Sequence, residues 1–157
     1  MAYSTKATDG CLAAFPGHDM EIKFHGDWSN MQKRDINSET GPKPAAAYSQ
    51  AVEVSGATRM LFISGQVGVE ADETTPPGIT EQARLAWRNL EAQLKAANMG
   101  LDNLVKVTMI VPDPADIPAT RPVRAEVLGN RRPASTVIVA GLPNPAWKIE
   151  IEGIACA

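Results

Sequence analysis

The segment Leu104-Val105-Lys106-Val107-Thr108-Met109-Ile110-Val111 constrains this chain more than any other. It reads as a strand over residues 104–111, and successive side chains of a strand point to opposite faces. Val105, Val107, Met109 and Val111 fall on one side, and Leu104 and Ile110 on the other. A later strand repeats the pattern, with Val137 and Val139 matched by Ile138 and Ala140. A sheet that is apolar on both faces must be covered on both. The rest of the sequence offers two helices, which cover one face. The second cover is therefore expected from association between copies of the chain.

The remaining elements follow from periodicity and punctuation. Residues 48–54 and 59–66 read as strands separated by the turn Gly56-Ala57-Thr58, an expected hairpin. An acidic, proline-containing loop over 70–78 leads to a helix over residues 81–98. Its apolar face is Ala83, Ala86, Trp87, Leu90, Leu94 and Ala97, with Thr80 as the expected N-cap. Glu81 in the first turn, Lys95 in the last and Gly100 beyond the end fit helix polarity. This helix is expected to be the crossover into the 104–111 strand. A second helix runs from Pro118 or Pro122 to Leu128, because proline belongs in a first turn. Strands over 135–140 and 147–154 complete the chain, on either side of Gly141-Leu142-Pro143-Asn144-Pro145. Residues 1–43 show no sustained period. They are expected to form an irregular arm with a candidate short strand at 20–24, leaving residues 44–157 as the folded domain.

At 157 residues the chain has the size of one domain with a buried core. Its net charge of -3 argues against nucleic acid as a partner, since phosphate recognition needs a concentrated basic face. The one basic cluster, Arg121, Arg124, Arg131 and Arg132, suits a pocket lip better than a nucleic-acid track. Cys11 and Cys156 match no zinc or redox spacing, and no metal site is expected around His18 and His25. Cys11-Leu12-Ala13-Ala14-Phe15 is too short for a signal segment, and no apolar run approaches a membrane span. A cytoplasmic protein with reduced thiols is expected.

Several short motifs, in order, carry a resemblance. They are Tyr48-Ser49-Gln50-Ala51-Val52, Ser64-Gly65-Gln66, Asn89-Leu90, Ser135-Thr136-Val137, and Leu142-Pro143 followed by Ile149-Glu150-Ile151-Glu152. Across residues 41–155 the chain resembles the RidA family, also called the YjgF/YER057c/UK114 family. The resemblance implies an α+β, chorismate-mutase-like fold: a mixed sheet with two helices on one face, in a homotrimer whose sheets line an inner barrel. It implies ligand clefts between subunits and cofactor-free hydrolysis of enamines and imines of the 2-iminoacid type. An arginine would bind the substrate carboxylate with its planar fork, and a glutamate would place the attacking water.

Carried over residue by residue, the glutamate is Glu150, the pocket tyrosine Tyr48 and the serine Ser64. Thr136 joins the substrate-binding set. The arginine should stand immediately before Ser135, and that position is Ala134. A pocket-side asparagine falls at Arg121. Arg132, two residues before Ala134, would share its face of an extended strand at about 7 Å, roughly the reach of an arginine side chain. Arg132 and Arg121 are thus two candidates for the anion site, set against a solvated turn at Arg131 and Arg132. Glu150 is the expected site carboxylate, with no role for Glu152. Trp87 and Trp147 read as core or subunit contact. No histidine or cysteine in the core part of the chain can partner Ser64, so a serine-nucleophile triad is not expected. The expected ligand is a small carboxylate or carbonyl-derived metabolite. The alternatives are a non-catalytic ligand-binding trimer, favoured by Ala134, and an endoribonuclease, disfavoured by charge and by the lack of a core histidine.

Overall fold

The structure, a computed structural model, describes residues 31–157. Eight main elements follow one another: β1 (Gln32–Ile36), β2 (Ala51–Ser55), β3 (Met60–Val67), α1 (Ile79–Ala96), β4 (Leu104–Ile110), α2 (Ile117–Leu128), β5 (Ala134–Ile138) and β6 (Glu150–Cys156). Four strands form one mixed sheet in the order β3-β6-β4-β5. β6 runs antiparallel to both β3 and β4, and β5 runs parallel to β4. α1 therefore connects two parallel strands across β6, and α2 connects two parallel neighbours. This is the α+β arrangement of two helices and a mixed sheet that the sequence led us to expect.

The core lies between the helices and one sheet face. Ala83, Ala86, Trp87, Leu90 and Leu94 of α1 pack with Val107, Met109 and Ile151 of the sheet and with Val123 and Leu128 of α2. Gln82 is also fully buried, and it is fully bonded. Its Nε2 donates to the carbonyls of Pro76 (2.8 Å) and Ala146 (2.9 Å), and its Oε1 accepts from the Lys148 amide (2.8 Å). A buried amide with every bond made costs little and orients the two loops it holds. The clamp on Pro76 goes with an entry into α1 two residues earlier than expected. The helix is entered at Gly78, and Thr80 lies inside the first turn instead of capping it.

α2 takes the earlier of its two starts. Pro118 occupies the first turn and Pro122 lies in the interior. Pro122 has no N–H to offer the Pro118 carbonyl, but both prolines face solvent, where water can take its place.

Three expectations are corrected. The strands flanking Gly56-Ala57-Thr58 are not a hairpin. β2 pairs with β1 along its whole length, while β3 pairs with β6. The C-terminus closes β3, with the amides of Thr58 and Arg59 both donating to the Ala157 carbonyl at 2.8 Å. Second, part of the expected irregular arm is the strand β1, tied to the start of β4 by Lys33 Nζ donating to the carbonyls of Asp102 and Leu104. Third, Leu104 is not on the face opposite Val107. The β4–β6 register shifts between Leu104 and Lys106, so Leu104 turns into the core beside Leu90. The candidate strand at 20–24, His18, His25 and Cys11 lie outside the described residues.

The face away from the helices stays open within one chain. Phe62 is 71% exposed and Met60 60%. The bulge takes Leu104 off this face and leaves Lys106 and Thr108 on it. Among the described residues, no helix is long and apolar enough to cross a membrane, and no group of three or more His, Cys, Asp or Glu could hold a metal.

Candidate functional site

The bare sheet face gathers four of the expected site residues. Ser64 projects from β3 beside Phe62, on the exposed side of the alternation. Glu150 shares a face of β6 with Glu152, opposite the buried Ile151. Ala134 and Thr136 lie on β5, in register with Lys106 and Thr108 of β4. A cavity of about 410 Å³ on this face is lined by Phe62, Ser64, Lys106, Thr108, Glu152 and Ile154, among others.

Glu150 and Ser64 meet through Gly65. The β3–β6 register shifts between Ile63 and Gln66, leaving Ser64 and Gly65 unpaired in a bulge. The Glu150 carboxylate lies directly over Gly65, where a Cβ would stand 1.7 Å from Oε1. Glycine is required here for close approach of a side chain to the backbone.

Two other expected residues lie elsewhere. Tyr48 and Arg121 line a second cavity, of about 450 Å³, with Met109, Thr120, Arg124 and Val137. Arg124 stacks over the Tyr48 ring at 5.9 Å from its centroid, and its Nη2 donates to the Ala47 carbonyl at 3.3 Å. Burial lowers the Arg124 pKa, Tyr48 opposes that shift, and the charges of Arg121 and Arg132 add to it. Among the described residues, Arg121 has no hydrogen-bond or ion-pair partner.

Arg132 folds back on its own turn. Its Nη1 donates to the carbonyls of Gly129 (3.2 Å) and Arg131 (3.3 Å). Arg131 forms a two-pronged pair with Asp102, Nε to Oδ1 at 2.7 Å and Nη2 to Oδ2 at 3.1 Å. That bond is the first cause of the lowered Asp102 pKa, with the charges of Arg131 and Lys33 helping and burial opposing. Ser49, next to Tyr48, forms a single parallel bridge with Ala134. The 48–52 motif therefore lies at the margin of β5.

Lys106 and Thr108 were not anticipated, and Arg124 only as one of the basic cluster expected at a pocket lip. Lys106 did leave a signal: it is a charge in the middle of an otherwise apolar strand, which a soluble core does not ordinarily admit without a use. Of the motif residues, Asn89 is structural. Its Nδ2 donates to the carbonyls of Val67 and Val69, both at 3.0 Å, and pins the end of β3 to α1. Trp87 is core, at 1% exposure.

Comparison with known proteins agrees with this architecture. A family model described as Endoribonuclease L-PSP matches residues 38–157. The RutC family protein UK114 of Drosophila melanogaster is 39% identical over 130 residues, covering 81% of this chain and 91% of that protein. The 2-iminobutanoate/2-iminopropanoate deaminase of Mus musculus is 34% identical over 130 residues, covering 81% of this chain and 93% of the relative. A crystal structure of a Rid-family protein from Yersinia pestis superposes with a TM-score of 0.70 at 29% identity, covering 80% of this chain and 98% of the other.

Proposed function

This chain belongs to the Endoribonuclease L-PSP family, the RidA/YjgF/UK114 proteins, and from that membership we propose that it hydrolyses 2-imino acids and their enamine tautomers without a cofactor. The observation that carries the reading is the seating of the Glu150 carboxylate over Gly65, next to Ser64. A carboxylate held there can take a proton from water as the water oxygen adds to the imine carbon. The protonated Glu150 then gives that proton to nitrogen of the carbinolamine so formed. The carbinolamine hydroxyl gives up its own proton to the carboxylate as the C–N bond breaks, nitrogen leaves as ammonia and the 2-oxo acid remains.

In this reading, three copies of the chain bury the bare face in an inner barrel. Tyr48 and Arg121 of one copy then form the wall opposite Ser64 and Glu150 of the next. The exposure of Phe62 and Met60 supports such a cover. The ligand is a small carboxylate metabolite and the compartment the cytoplasm.

The test is hydrolysis of freshly generated 2-iminopropanoate and 2-iminobutanoate. The parent should turn both over, and Glu150→Gln should lower kcat by roughly 10²–10⁴, the usual worth of a placed base. Arg132→Ala should change little, because that guanidinium is committed to its turn. An inert parent that still binds 2-oxobutanoate would favour the binding-protein reading that Ala134 raises. Unchanged turnover in Glu150→Gln would remove the proposed mechanism.

A further inference from the structure

The face described above lacks an arginine at position 134 but does not lack a cation. β4 and β5 are parallel and in register, with Lys106 level with Ala134 and Thr108 level with Thr136. Level residues of neighbouring strands project from the same face. Lys106 Nζ donates to Thr136 Oγ1, so the ammonium leans across to β5, over the stretch that begins at Ala134. Ala134 itself carries only a methyl group at the position level with Lys106.

An ammonium has three donors, and Thr136 takes one. No carboxylate of the described residues lies within ion-pair distance of Nζ, although Glu152 lines the same cavity. Ser64 and Thr108 line it too, and their hydroxyls can serve an anion as donors. If copies of the chain cover this face, a lysine there without an ionic partner would carry a desolvation cost that an anionic ligand would offset.

Resting on the reading of this face as the site, we infer that Lys106 holds the carboxylate of the 2-imino acid, with the hydroxyls of Thr136 and Thr108 beside it. Arg121 and Arg132 do not share this strand position. A lysine makes a point-charge contact where an arginine makes a two-pronged one. The anchor therefore fixes the charge of the substrate more firmly than the plane of its carboxylate.

Binding of 2-oxobutanoate, the unreactive product, tests this by calorimetry without requiring turnover. Lys106→Met should weaken binding by about tenfold or more, the usual scale for losing a charge-assisted contact. Lys106→Arg should stay within about threefold of the parent, since the charge is kept. Lys106→Met combined with Ala134→Arg should regain most of the loss, which a merely structural role for Lys106 would not allow. In turnover, Lys106→Met should raise KM more than it lowers kcat. Circular dichroism checks that each variant folds, and Lys106→Gln serves if Lys106→Met does not. The inference is overturned if the parent does not bind 2-oxobutanoate, if the lysine variants bind like the parent, or if Arg121→Ala alone abolishes binding. Failure of Glu150→Gln to slow hydrolysis would sink the proposed mechanism while leaving the Lys106 result standing.

Discussion

Gly65 is the residue on which the catalytic geometry turns. Any side chain there meets the Glu150 carboxylate, with Cδ at 2.4 Å from the added carbon. The clash is with the far end of a flexible side chain, so Glu150 can swing away without unfolding the sheet. Gly65→Ala is therefore expected to lower kcat at least about tenfold while stability falls by no more than about 1 kcal/mol. Steady-state kinetics beside urea denaturation would separate the two. A loss of stability with intact kcat would place Glu150 outside the chemistry. The main anionic and cationic candidates, Glu150 and Lys106, thus stand on the same face, reached from different strands.

At the scale of elements, the turn between α2 and β5 is fastened to the short turn Leu101–Asn103 by the Arg131–Asp102 pair. The Asp102 carboxyl has its pKa lowered in the folded chain, so its contribution is present above the unfolded value of about 3.9 and is lost as pH falls through the lower folded value. Asp102 is 82% exposed, and solvent screens the pair heavily. Asp102→Asn is expected to cost on the order of 0.5 kcal/mol at neutral pH. The difference from the parent should shrink as pH falls below the unfolded value and vanish once pH is below the lowered folded value. Denaturation midpoints across that range would check it, and a difference that grows on acidification would contradict the assignment. The same pair explains why Arg131 is not an anion site: its fork is already filled.

At the scale of the whole molecule, the uncovered sheet face governs behaviour. Met60, Phe62 and Ile138 expose large apolar surface around the Lys106 cavity. On the proposed reading, light scattering should return about three times the 16.8 kDa chain mass. Phe62→Lys should shift the protein toward lighter species that keep their helical dichroism, because charge on a buried interface costs several kcal/mol. A parent that runs at the mass of one chain would remove the intersubunit cleft from the mechanism.

Much of this was legible from local pattern. The core face of α1, from Ala83 to Leu94, follows from helical spacing. The segments of every described strand but β1 follow from β-branched runs and their breakers, and Ser64, Glu150 and Thr136 from motifs that keep their order. These signals are local, because the period of a helix or strand is set by its own backbone. The partner of β2, the shift that turns Leu104 inward, the early entry to α1 at Gly78 and the company of Lys106 were not legible. Each depends on which distant segment supplies hydrogen bonds. Pairing between strands joins residues far apart in the chain, and one shifted residue exchanges the faces. The sequence by itself determined the two helices, five of the six strands, the core face of α1 and the absence of arginine at position 134. Only the tertiary structure decided that a lysine from the neighbouring strand stands beside that gap, because β4 and β5 come into register only through the crossover by α2, whose Val123 and Leu128 join the core.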